Sequence, residues 1–326
     1  MAKKIVITIG DPAGIGPEIT VKSVIQLYKS NQLDLSKVII VGDSRIIHNC
    51  IARVYKSGLS NKTLAVFNKS IIDLHNAAGV ITGKTGKACG IAAKQYIDYA
   101  VSRILRQSKV SDYSLVTAPV SKKSIISAGE AGFTGHTEYI AKLTGTKLPA
   151  MLMLGGKNKY KVLLLTRHIP VNKVSEKLTI NSVIGQILVT VDTLHNVFKI
   201  KVPEVSICNV NPHCGENGEI GTDEIRVIRP AVRYFSRAEF KNKVSVTGPV
   251  LTELAFKQYR STDLIVTAYH DQAMVPLKLL SGGDIVNYTC GLPFIRTSPG
   301  HGTAFDIADK YIADCTSMVS AIKTAM

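Results

Sequence analysis

At 326 residues the chain is long enough for about two domains of roughly 100 to 200 residues with a sizeable core. Apolar residues make up 45% and charged residues 20%, which excludes low-complexity disorder. Forty Lys and Arg against 24 Asp and Glu give a formal charge of +16 at pH 7, a field that favours an anionic partner such as a phosphate ester or a nucleic acid.

Along the chain, short β-branched runs alternate with helical periodicity, the pattern of parallel strands joined by crossover helices, so the class is α/β. Strands are expected at residues 4–9, 37–41, 114–117, 162–165, 205–209 and 264–267. The first leads into Gly10-Asp-Pro-Ala-Gly-Ile-Gly-Pro-Glu18, a glycine-rich turn before a helix that starts near Pro17. Such a turn can aim backbone N–H groups at an anion. It is a poor dinucleotide fingerprint, because Ile19 stands where a third glycine belongs. A P-loop at Gly83, Lys84 and Thr85 fails similarly, with Ala78 in place of the earlier glycine. Residues 92–106 put Ile97, Ala100, Val101, Ile104 and Leu105 on one helical face, and 179–197 offer a second long amphipathic helix. Arg226, Arg229, Arg233 and Arg237 mark the wet side of another. No repeat or Pro/Gly/Ser linker divides the chain, so two domains would be crossed more than once.

No apolar stretch approaches the ~20 residues of a membrane span. The apolar run 5–9 is too short for a signal peptide, which makes a cytoplasmic location the expectation. The six cysteines form no CxxC and are expected reduced. Basic residues scatter in small groups such as Lys3 and Lys4, Lys122 and Lys123, or Lys157, Lys159 and Lys161. There is no Trp and no alternation of aromatic with basic residues, so neither a specific nucleic acid nor a membrane is expected as partner.

Three of the eight histidines directly follow expected strands: His168 after 162–166, His213 after 205–209, and His270 after 264–267. Open α/β sheets bind ligands beyond the carboxyl ends of their strands. Three imidazoles placed there can converge on one divalent metal: zinc takes three protein nitrogens and leaves a position for substrate, and nickel, cobalt or magnesium are not excluded. The plain alternative for each is a hydrogen-bonded core or loop histidine. A second set is basic and polar among glycines: Gly135-His-Thr-Glu138, Lys278, Asn287 and Arg296. Arg296 and Lys278 suit a phosphate or carboxylate, one as a fork and one as a point charge. Residues 300–306 form another glycine-bearing loop, expected to lead into a helix and suited to backbone contact with a nucleotide or phosphate.

The stretches 10–18, 117–122, 132–138, 211–213, 269–272 and 291–298, in this order, resemble the 4-hydroxythreonine-4-phosphate dehydrogenase family over nearly the whole chain. The resemblance implies the isocitrate/isopropylmalate dehydrogenase-like fold, two α/β domains with the active site in the interdomain cleft, expected here as 1–125 plus 290–326 and 126–289. It implies a dehydrogenase that oxidises 4-phosphohydroxy-L-threonine with NAD or NADP. The resulting β-keto acid loses carbon dioxide to give 3-amino-2-oxopropyl phosphate, in pyridoxal phosphate (vitamin B6) biosynthesis. Carried over residue by residue, His168, His213 and His270 match the ligands of one divalent metal (Zn, Mg or Co), with His270 coming from the partner subunit of a homodimer that shares its active site. His136, Thr137, Lys278, Asn287 and Arg296 match the substrate-binding positions. Lys278 or Asp271 is the expected base, and the loop 301–306, from His301 to Asp306, looks like the cofactor loop.

The chain departs from the family pattern at Gly300, Asp309 and Tyr311, around that loop, and carries Glu253 where an aspartate is common. Two other enzymes are weighed against the dehydrogenase: a paralogue acting on another phosphorylated hydroxy acid such as 4-phosphoerythronate, and a metal-independent phosphate acyltransferase of related fold.

Overall fold

The computed structural model describes residues 3–56 and 58–326. Eleven strands are described: β1 (Lys4–Thr8), β2 (Val38–Gly42), β3 (Ile71–Asp73), β4 (Tyr113–Thr117), β5 (Ala150–Gly155), β6 (Tyr160–Leu164), β7 (Glu204–Cys208), β8 (Ser245–Val250), β9 (Leu264–Thr267), β10 (Ile285–Cys290) and β11 (Ile295–Pro299). The chain divides into two compact units, one formed by Met1–Lys147 with Leu292–Met326 and the other by Leu148–Gly291.

In the first unit the strands run parallel in the order β3-β2-β1-β4-β11. All but one residue of β1 is buried, as are most of β2 and β4, because helices cover both faces of a parallel sheet and leave no solvent side to alternate toward. Helix Gly16–Lys29 follows β1, with Pro17 in its first turn, where the missing N–H costs nothing. In the second unit the order is β10-β5-β6-β9-β7-β8. Here β6, β9, β7 and β8 are parallel, while β5 pairs antiparallel with both β6 and β10.

The division expected after residue 125 falls after Lys147 instead. Residues 126–147 stay with the first unit because helix His136–Thr144 is fastened to helix Lys87–Leu105. The Tyr139 hydroxyl donates to Asp98 Oδ1 at 2.5 Å, Lys94 bridges Asp98 and Glu130, and Phe133 packs with Ala93 and Ile125.

All six expected strands are present to within two residues at either end. Of the strands not expected, β5 (AMLMLG) has no β-branched residue, β8 carries Gly and Pro at a sheet edge, and β11 buries an arginine. Arg226 lies on a π-helical turn, Glu224–Ile228, continued by helix Arg229–Phe235 with Arg229 and Arg233; Arg237 falls past the helix end in extended backbone, so the expected stripe on one helix is one residue too long, though all four arginines are exposed. Loop 301–306 runs into a series of turns, and a helix resumes only at Thr316–Ala325, so the expected helix after the loop is absent. All six cysteines are free thiols, and four are buried. No helix among the described residues is long and apolar enough to cross a membrane.

Candidate functional site

The three histidines stand at the carboxyl ends of three neighbouring parallel strands of the second unit. His168 follows β6, His270 opens helix His270–Ser281 after β9, and His213 follows β7. Parallel register sets Leu164 beside Thr267 and Val266 beside Ile207, so the three strands end side by side. The rings of His168 and His270 lie 5.7 Å apart between centroids. Gln272 ties the β9 end to the β7 end: its Oε1 accepts from Ala268 N–H at 2.7 Å and its Nε2 donates to the Asn209 carbonyl at 2.7 Å. His270 Nδ1 stands 2.6 Å from Asp271 Oδ1, a contact that fixes one ring nitrogen and leaves Nε2 to face a ligand. Within the single chain, no three His, Cys, Asp or Glu side chains among the described residues close around one point.

His213 sits in an unusual backbone. From 213 to 217 every residue is left-handed, with φ of 53°, 55°, 80°, 42° and 56°. Left-handed helical geometry costs roughly 1–2 kcal/mol per residue when a Cβ is present, so the turn has to be held from outside. Glu224, fully buried, does this: its Oε1 accepts from the N–H groups of Val210 and Asn211, both at 2.7 Å, and its Oε2 accepts from Asn211 Nδ2 at 3.0 Å. Two glycines make room, since a Cβ on Gly215 would stand 2.5 Å from the Gly221 carbonyl and one on Gly221 would strike the Asn211 amide.

The first unit holds a second cluster. Arg296, on β11, is only 1% exposed and donates from Nη2 to Thr117 Oγ1 at 2.6 Å, at the end of β4. Burial lowers its pKa to about 10, opposed by Glu138, so it remains a cation at neutral pH. His136 and Thr137 open helix His136–Thr144, whose N-cap Gly135 supplies no side chain. Burial, and then the Arg296 charge, push the His136 pKa well below 6.5, and its Nε2 is buried without a hydrogen-bond partner. The Lys122 ammonium lies 4.0 Å from where a Cβ on Gly135 would stand. A neutral imidazole, a buried guanidinium and an uncapped helix start form an environment for an anion. In the second unit, Asn287 on β10 likewise has a buried Oδ1 without a partner, while Lys278 is exposed on helix His270–Ser281.

The glycine-rich turn 10–18 is filled by the chain itself. Thr303 accepts from Ile15 N–H at 2.9 Å, and a Cβ on Gly14 would stand 2.8 Å from that carbonyl. Further along, Lys22 Nζ binds Glu18 at 2.5 Å and the carbonyls of Tyr311 and Ala313 at 3.1 and 2.9 Å. Gly14 therefore admits Thr303, while Gly10 and Gly16 lie against the backbone of Pro119 and Ile9, a structural use of all three glycines. Tyr311 has a φ of 56°, a left-handed conformation that a glycine would adopt at less cost. Loop residue Gly302 has nothing within 4 Å of its Cβ position, so its backbone is open to approach.

Sequence reading missed Glu224, Thr117 and Lys122 as parts of these clusters. Thr117 and Lys122 lay inside a quoted stretch, whereas nothing in the sequence distinguishes Glu224 from other carboxylates.

The family described as pyridoxal phosphate biosynthetic protein PdxA matches residues 34–325. The chain is 36% identical over 328 residues to a 4-hydroxythreonine-4-phosphate dehydrogenase of a Sulfurihydrogenibium species, covering 99% of this chain and 97% of that one. It is 35% identical over 341 residues to the D-threonate 4-phosphate dehydrogenase of Pectobacterium atrosepticum, covering 100% and 99%. The crystal structure of a 4-hydroxythreonine-4-phosphate dehydrogenase from Klebsiella pneumoniae superposes with a TM-score of 0.81 at 34% identity, covering 100% of this chain and 99% of that one. Since these matches run through both units and through every motif that supplies the two clusters, the chain belongs to the PdxA family.

Proposed function

We propose that the chain catalyses the oxidation and decarboxylation of 4-phosphohydroxy-L-threonine, using NAD or NADP and one divalent metal. The observation that carries the reading is the placement of His168, His213 and His270 beyond three adjacent strand ends, in a chain of this family. Their imidazoles would hold a Zn, Co or Mg ion, and Asp271 would orient His270. Bound there, such an ion would supply Lewis acidity, favouring loss of the substrate's hydroxyl proton and then of its carboxylate as carbon dioxide.

The remaining work falls to the chain. Arg296, His136 and Thr137 of the first unit would bind an anionic group of the substrate, and Lys278 and Asn287 of the second would serve as further substrate-binding residues. NAD or NADP would supply the hydride acceptor, and a side chain of the protein would take the hydroxyl proton. Of the two candidates, Asp271 is already engaged with His270, which favours Lys278. The loop 301–306 would hold the cofactor through its open backbone at Gly302. Helix His270–Ser281 exposes Val275 (55%), Leu279 (80%) and Leu280 (50%), an apolar surface beside His270 that fits a second copy and a site shared across a homodimer. We place the enzyme in the cytoplasm.

A second reading has specific support: similarity to the D-threonate 4-phosphate enzyme equals that to the amino-acid enzymes, so the group beside the carboxylate is open between an amine and a hydroxyl. Reduction of NAD followed at 340 nm, with both substrates and with or without chelator, tests both. Faster turnover of D-threonate 4-phosphate selects the second reading. Undiminished turnover in strong chelator removes the metal from the first.

A further inference from the structure

We infer that Glu224 is a positioning residue for the metal, acting through the backbone that carries His213; this rests on the proposed metal role of the three histidines. Five consecutive left-handed residues, 213–217, set the direction of the His213 side chain, and four of them carry a Cβ. Residues of this kind relax toward ordinary backbone unless their surroundings over-determine them.

The surroundings here centre on one carboxylate. Glu224 takes the N–H groups of Val210 and Asn211, the last donors before the turn, and the Asn211 amide besides. Asn211 Nδ2 also donates to Asp223 Oδ2 at 3.0 Å, and Asp223 accepts from Ser175 Oγ at 3.1 Å. The turn is thus pinned at its entrance. At its centre Gly215 rests against the Gly221 carbonyl, with Glu224 Oε2 2.8 Å from where its Cβ would be. Glu224 is fully buried, and its carboxylate accepts three hydrogen bonds from residues 210 and 211. A buried carboxylate spent on backbone N–H groups is costly to keep unless the conformation it enforces is needed. The conformation it enforces is that of His213.

The test is binding of Co2+ alone to the full-length protein, by competition with a chromophoric chelator and by the visible ligand-field spectrum, which reports ligand geometry. Glu224→Gln retains one acceptor and is expected to weaken Co2+ binding by about 10-fold, and Glu224→Ala by up to about 100-fold, the range for groups that orient metal ligands. Asn211→Ala is expected to match Glu224→Gln. Spectra of the Gln and Ala variants at saturating Co2+ should shift from the wild type, while circular dichroism stays unchanged. Should Glu224→Ala fail to fold, the other two variants carry the test. Wild-type affinity and an unshifted spectrum in both of them, with binding weakened in His213→Ala, would overturn the positioning role alone. Wild-type affinity in His213→Ala would overturn the metal reading and this inference with it.

Discussion

Asp271 holds His270 through Nδ1 at 2.6 Å, and both residues lie in the first turn of the helix that follows β9. A carboxylate in this position fixes the tautomer and raises the basicity of the other ring nitrogen. Asp271→Asn is therefore expected to lower divalent-metal affinity about 10- to 100-fold, measured by chelator competition, with no change in fold. Unchanged metal affinity with turnover abolished would instead make Asp271 the proton acceptor and release Lys278 from that role.

Arg296 is buried and directed to Thr117, so a lysine there keeps the charge and loses the planar fork. Arg296→Lys should raise KM for the phosphorylated substrate by about 10-fold, on the order of 1.4 kcal/mol of binding. A fall in kcat of the same size, with KM unmoved, would show that Arg296 acts only in the transition state.

His136 links the anion cluster to pH. Its folded-state pKa lies well below 6.5, so the native protein keeps it neutral while the unfolded chain protonates near 6.5. Stability is then fully present above that value and is lost as pH falls from 6.5 toward the depressed native pKa, at up to about 1.4 kcal/mol per pH unit. Urea melts of His136→Gln between pH 7 and 5 should show a shallower slope by about one proton. An identical slope would mean that another group dominates there.

Asp11 is a buried carboxyl whose pKa burial raises above 3.8, opposed by the Ala13 N–H, which donates to Oδ1 at 3.0 Å, and by Ser124 and Ser121. A raised carboxylate loses stability as pH climbs through 3.8 to its folded value, and the deficit persists at neutrality. Asp11→Asn keeps the bond to Ala13 and removes the charge. At pH 7 it is expected to be stabilised by about 1 kcal/mol, read as a rise of about 2–4 °C in Tm. A lower Tm would reveal a cation near Asp11 that the structure does not show.

Leu279 is the most exposed large apolar side chain of the described residues. If the proposed dimer forms through this face, Leu279→Glu is expected to give monomers in light scattering and to abolish turnover while leaving the circular dichroism spectrum intact. A variant that stays dimeric would move the interface to another surface.

Much of this was legible in the sequence because parallel strands buried on both faces read as unbroken β-branched runs, and because the three histidines come directly after such runs. The strand ends could be located, but which strands are neighbours could not: β9 lies between β6 and β7, and only the pairing shows that His168 and His270 adjoin. The glycine-rich turn could be read either way from sequence, for a physical reason. Glycines that admit a phosphate and glycines that admit another stretch of backbone look alike in sequence, and here Thr303 occupies the space. Glu224 was invisible because its partners are backbone N–H groups, which leave no trace in residue identity.

The first unit is assembled from both ends of the chain, with β11 pairing against β4 and the last helix packing behind them, while the second is one uninterrupted stretch. During synthesis the order of completion is set by this threading. Residues 148–291 are available to fold as soon as they emerge, but β4, already beside β1, waits for its second neighbour, β11, until residue 299 has been made and released from the ribosome. A premature stop that removes residues 292–326 would therefore spare the strands that precede the three histidines and leave the cluster around Arg296 without its guanidinium.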